Sequence, residues 1–113
     1  MPSLLSTIDG FGPQIYYSQK FRQMIEDHLL TIRAMPTNIV RELGEDEGAI
    51  LNRYVGDFYG FLTAMNYDRR YHWTIMRMNG YRCRFDLDLT LQRLILPDWS
   101  YIDKLAQLCK EKR

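Results

Sequence analysis

Two histidines, His28 and His72, are the side chains here whose ordinary pKa permits proton transfer near neutral pH, and Cys83 and Cys109 are the two thiols. The histidines fall on different predicted helices, and no serine or cysteine stands at a recognisable nucleophile position, so group transfer has no visible machinery. Neither a Cys-x-x-Cys nor a His-x-x-x-His spacing occurs, which leaves no zinc pattern. Gly56-Asp57 lacks the further glycines and the Gly-Lys-Ser/Thr end of a phosphate loop, and reads as a turn with a helix cap. The expectation is a protein that is not an enzyme and carries no cofactor and no metal.

The most distinctive chemistry lies between Arg69 and Arg93. Six arginines there (Arg69, Arg70, Arg77, Arg82, Arg84 and Arg93) face two aspartates (Asp86 and Asp88), a local charge of about +4. Tyr67, Tyr71, Trp73, Tyr81 and Phe85 are interleaved with them. That mixture suits a stacking surface for single-stranded nucleic acid, an arginine-and-aromatic protein interface, or aromatics in a core beneath solvated arginines. Upstream, five carboxylates (Glu42, Glu45, Asp46, Glu47 and Asp57) face Arg53, a local charge of about −4. Opposite poles on one molecule favour a protein partner and ordered assembly.

The elements that position these residues must fit in 113 residues, about one domain. With 46% hydrophobic and 26% charged residues the chain is expected to fold, and to hide roughly two-thirds of its extended surface without staples. A formal charge of +1 gives the whole molecule no pull towards nucleic acid or an anionic membrane. Apolar runs are too short for a spanning helix, and Met1 to Ser6 has neither a basic start nor a long hydrophobic stretch, so no membrane span and no export signal are expected. In that setting the two cysteines are expected to be free thiols.

Residues 1–13, with Gly10, Gly12 and Pro13, read as an N-terminal arm whose Leu4, Leu5, Ile8 and Phe11 could pack on this chain or on a neighbour. Tyr17, Phe21, Met24, Ile25, Leu29 and Ile32 recur at steps of three and four, predicting one amphipathic helix over 14–33. Pro36 stops it, and Pro36-Thr37-Asn38 offers the cap of a short helix through Leu43, ended by Gly44. Glu45-Asp46-Glu47-Gly48 reads as a solvated link and Ala49 to Val55 as a strand. Asp57 caps a helix over 58–65, Tyr71 to Met78 forms the next, and Asn79-Gly80 closes it. A second strand over 92–96 ends at Pro97, and a short amphipathic helix over 100–109 precedes a charged tail.

Strand, Gly-Asp, helix, turn, helix ending in Asn-Gly, loop, and a strand closing on Leu94-Ile95-Leu96-Pro97 resemble the LysM domain, a small βααβ unit, over residues 49–98. The motif residues are Tyr54-Val55-Gly56-Asp57, Phe61-Leu62, Ile75, Asn79 and Pro97: Gly56 for the turn, Asp57 as cap, Asn79 at the helix end, Pro97 at the sheet edge. Tyr71 to Asn79, with Trp73 in the second helix, and Asp98 to Leu105 after the closing proline are similar to LysM-like baseplate wedge proteins of contractile-tailed bacteriophages. The usual Gly before the final strand is replaced by Asp86 to Thr90, and the loop from Tyr81 is longer and more basic.

The resemblance implies an α+β protein: a LysM-like βααβ core at 49–98, an N-terminal helical extension at 14–48, and a C-terminal helix and tail at 99–113. It implies a virion structural protein of the tail baseplate, made in the host cytoplasm, whose partners are other baseplate or tail proteins. Leu5, Phe11, Tyr16, Tyr17, Arg82 and Arg84 are the expected partner contacts. The alternative implied by LysM domains at large is N-acetylglucosamine binding, between a loop of Gly56, Asp57, Phe58 and Tyr59 and a loop of Asn79, Gly80, Tyr81 and Arg82. A small nucleic-acid-binding protein, resting on the arginine cluster, is a third class, disfavoured by the near-neutral total charge.

Overall fold

The structure, a computed structural model, describes residues 13–111; residues 1–12, with most of the expected arm including Leu5 and Phe11, lie outside them. In place of one helix over 14–33 there are three short pieces: a 3-10 helix Pro13–Tyr17, α1 Gln19–Asp27 and α2 Leu29–Arg33. Ser18 resets the helix, its hydroxyl accepting the Phe21 N–H at 3.1 Å as an N-cap. His28, at φ −109°, ends α1 and starts α2.

The segment after Pro36 reverses the expected order of helix and strand. Asn38 does not cap a following helix: its amide donates backwards to the carbonyls of Ile32 (2.7 Å) and Arg33 (3.3 Å), closing the C-terminus of α2. The chain leaves as a strand, β1 Ile39–Glu42, where a short helix was predicted. The strand predicted over 49–55 is helical instead: α3 spans Glu45–Arg53, and the acidic link is its first turn. Glu45, Asp46 and Glu47 favour the positive end of a helix, and the Glu47 carboxylate accepts the Gly44 N–H at 2.9 Å.

From Gly56 onward the expected elements are present: α4 Phe58–Ala64, α5 His72–Met78, β2 Arg93–Leu96 and α6 Trp99–Glu111. Asp57 caps α4 by accepting the Gly60 N–H at 3.1 Å. Gly56 (φ +82°) and Gly80 (φ +89°) occupy the left-handed region that their turns require.

The architecture is α+β, with one two-stranded antiparallel sheet. β1 pairs with β2 in the register Ile39 to Leu96, Val40 to Ile95, Arg41 to Leu94 and Glu42 to Arg93. β2 is the hinge of the packing. Leu94 and Leu96 face a cluster of Leu51, Phe58, Phe61, Leu62, Ile75 and Met76, while Ile95, on the opposite side, packs against Phe21, Ile25, Ile32, Met78 and Ile102. Tyr71, the N-cap residue of α5, and Trp73 within α5 touch both clusters.

The two edges of the sheet are treated differently. On the β2 side, Asn79 stands in for a third strand: its Oδ1 accepts the Ile95 N–H at 2.8 Å, and its Nδ2 donates to the Ile95 carbonyl at 3.0 Å and the Ile75 carbonyl at 2.7 Å. On the β1 side, the alternation of an antiparallel ladder turns the Val40 and Glu42 backbone away from β2, and no described strand pairs with it. Ile39 and Val40 are 51% and 52% exposed along that edge.

Candidate functional site

The 3-10 helix before α1, α1, α4 and α5, with the 3-10 turns Arg69–Tyr71 and Arg84–Asp86, line a partly open cavity of about 210 Å³ formed by Tyr16, Tyr17, Arg22, Tyr59, Arg69, Arg70, His72, Trp73 and Arg84. The arginines lie on rings: Arg22 over Trp73 (5.4 Å to the centroid), Arg84 over Tyr59 (4.4 Å), and Arg70 over Tyr71 (5.3 Å) and Tyr16 (5.6 Å). Asp68 pairs with Arg70 at 3.2 Å and Asp57 with Arg84 at 3.1 Å. Both carboxyls are held below the usual range, chiefly by backbone N–H groups (of Arg70 and Gly60) and further by these guanidiniums.

The arginine cluster read from the sequence divides in space. Arg69, Arg70 and Arg84 line the cavity, whereas Arg77 pairs with Glu26 of α1, and Arg93 lies 3.9 Å from Glu42 across the sheet. Arg82 is exposed and outside the cavity lining. With Glu42 and Asp57 both taken by arginines of the basic stretch, the two charged poles partly neutralise each other within the chain.

Tyr16 corrects an expectation. It is 7% exposed, and its phenol donates to Asp103 Oδ1 at 2.6 Å, beside the Tyr71 phenol, which donates to the same oxygen at 2.8 Å. Burial and then the Asp103 carboxylate push the Tyr16 hydroxyl up to about 12. Tyr16 is thus a structural tie to α6 and no exposed apolar contact, whereas Tyr17 is 44% exposed.

Both histidines have a ring nitrogen engaged by a backbone carbonyl. The His28 ring nitrogen Nδ1 lies 2.9 Å from the Met24 carbonyl, and His72 is buried with Nε2 donating to the Tyr67 carbonyl at 2.9 Å. Cys83 is exposed, Cys109 is buried, and the two are unpaired. Among the described residues no group of three or more His, Cys, Asp or Glu could hold a metal, and no helix is long and apolar enough to cross a membrane.

Burial holds the His72 imidazole below its ordinary value near 6.5. The unfolded chain therefore takes up a proton that the native state resists, so this residue's contribution to stability is complete above that value and is lost as pH falls below it. Asp57 and Asp68, whose values are depressed, add losses only at lower pH, below the ordinary carboxylate value of 3.8. The urea midpoint should fall between about pH 7.5 and pH 5.5, and His72→Gln should flatten that interval while leaving the acid limb intact. An unchanged slope in His72→Gln would show that other groups titrate there.

The loops expected to frame a glycan groove are packed together. Phe58 is fully buried, and its ring meets Tyr81 edge-on at 5.3 Å, so an aromatic contact fills the space between Gly56–Tyr59 and Asn79–Arg82. Asp57 and Asn79 are committed to the α4 cap and to β2, and Tyr59 turns to the arginine cavity. Gly80 and Arg82 are exposed. Asn79 and Tyr81 also border a separate depression of about 310 Å³ beside Leu91, Gln92 and Arg93.

Arg22, Asp103, Ile39 and Val40 are the residues that pattern reading passed over. Arg22 follows Phe21 in the apolar stripe of α1, and only the packing of α1 against α5 brings it onto Trp73. No protein-family model, no curated protein and no solved structure matches the chain.

Proposed function

We propose that this chain is a non-enzymatic docking module of a phage tail baseplate, a LysM-like unit that joins neighbouring subunits during wedge assembly and resides in the virion tail. The observation that carries the docking part is the contrast between the edges of the sheet: Asn79 closes the β2 side, while the outer edge of β1 has no strand partner among the described residues, with Ile39 and Val40 half exposed. An edge of this kind accepts an extended segment of a partner through main-chain hydrogen bonds. Support for the LysM-like part is the order of elements, two antiparallel strands bracketing α3, α4 and α5, with the first strand at 39–42 in place of 49–55. Specificity rests on the strand edge and Tyr17 more than on the charged poles, which pair internally.

The packed Phe58 and Tyr81 rings count against the glycan alternative. Val40→Lys tests the docking reading, because it places a charge on the open edge without touching either core cluster. Stability should stay within about 0.5 kcal/mol of the parent, while incorporation of the tagged variant into particles, measured against the parent in the same cells, should fall at least about tenfold. Equal incorporation would remove β1 from the interface.

A further inference from the structure

The geometry points to the arginine cavity as a receptor for a phosphomonoester dianion, a site that shares only Tyr17 with the docking reading and does not rest on it. Four guanidiniums line the cavity and no carboxylate does. Asp68 and Asp57 balance Arg70 and Arg84, but among the described residues no carboxylate pairs with Arg22 or Arg69, which leaves two positive charges uncompensated. A phosphomonoester carries about −1.5 to −2 at neutral pH and matches both, whereas a carboxylate matches one.

A second observation, independent of the charge count, points the same way. Among the described residues, Arg22 Nε is buried and has no hydrogen-bond partner. A charged donor left in that state is costly, and it gains an acceptor when the Arg22 side chain shifts towards an oxyanion in the cavity.

The rings decide between a compact anion and a nucleic-acid strand. Trp73, Tyr59, Tyr71 and Tyr16 each carry a guanidinium on a face, so they hold the arginines in place and are not free to stack bases. His72 adds no further positive charge, since its Nε2 is committed to the Tyr67 carbonyl and burial favours the neutral ring. The volume of about 210 Å³ leaves room for the phosphate and a small organic group.

Calorimetric titration of the full chain at about pH 7.5, where the ligand is a dianion, and about 50 mM salt tests this. The probes are phenyl phosphate and inorganic phosphate, with acetate and a short oligothymidylate as comparisons. One-to-one saturable binding of at least one phosphate probe, with acetate at least about tenfold weaker, is the expected result. Tighter phenyl phosphate assigns an organic monoester, and equal binding assigns the free anion. Arg22→Gln and Arg69→Gln should each weaken binding about tenfold or more; Arg69 is exposed, so its variant carries the test even if Arg22→Gln fails to fold. No saturation by about 10 mM phosphate probe, no effect of Arg69→Gln, or oligothymidylate binding that phosphate cannot displace would each overturn the assignment, the last in favour of a single strand.

Discussion

Asn79→Ala should be among the most damaging single substitutions in the chain, although Asn79 is only partly buried. Its side chain makes three hydrogen bonds, two of them to the backbone of Ile95, and alanine leaves the Ile95 N–H and carbonyl without partners in the middle of β2. Losing those bonds and stranding both groups costs about 2–4 kcal/mol, a fall in Tm on the order of 10 °C for a domain of this size. β2 carries Leu94 and Leu96 into one core cluster and Ile95 against the other, so loosening it is felt in both. Asn79→Asp separates the bonds: it keeps an acceptor for the Ile95 N–H but turns an oxygen towards the carbonyls of Ile75 and Ile95, and should also destabilise. Melting of Asn79→Ala within about 1 °C of the parent would mean that the amide is not what holds β2.

Phe21→Ala should cost about 3–5 kcal/mol, the range for deleting a buried aromatic ring. Phe21 is fully buried, meets Tyr16 edge-on at 5.3 Å, and shares its cluster with Ile25, Ile32, Met78, Ile102 and Leu105. The cavity opens where α1 meets α6 and the 3-10 helix, beside the Asp103 carboxylate that holds both Tyr16 and Tyr71. Hydrogen exchange should therefore quicken most in α1 and α6, with a smaller change in α4, whose Phe58, Phe61 and Leu62 belong to the other cluster. Chemical denaturation gives the energy and exchange gives the place. A cost below about 1 kcal/mol would show that the first cluster carries the fold alone.

From Gly56 onward the sequence is legible because local signals and tertiary packing agree. Asp57 caps, Gly56 and Gly80 take the backbone conformation they are suited for, and the stripes of α5 and α6 face the core. Between Pro36 and Val55 the signals compete. Asn38 is equally suited to cap a helix ahead of it or to close one behind it, and the free carbonyls of Ile32 and Arg33 decide. The β-branched Ile50 and Val55 argue for a strand, but the acidic first turn and the Glu47 bond to Gly44 start a helix before that stretch is reached.

The cavity was only half legible. The run of arginines and aromatics from Arg69 marks one wall, but Arg22 and Tyr59 enter from α1 and α4, and no local pattern reports that long-range packing. The same run misleads at Arg77 and Arg93, whose charges are taken by Glu26 and Glu42 from elements far away in sequence. The open edge of β1 was hidden for a different reason: a segment read as a helix has no edge to expose.

The most direct test of the central claim is mass spectrometry of purified tails, stripped of loosely bound protein, from particles grown in cells that express this chain. The account predicts that its peptides remain with the baseplate fraction in constant ratio to other tail proteins. Recovery of the chain only from free cytosolic protein, with none in particles, would contradict it.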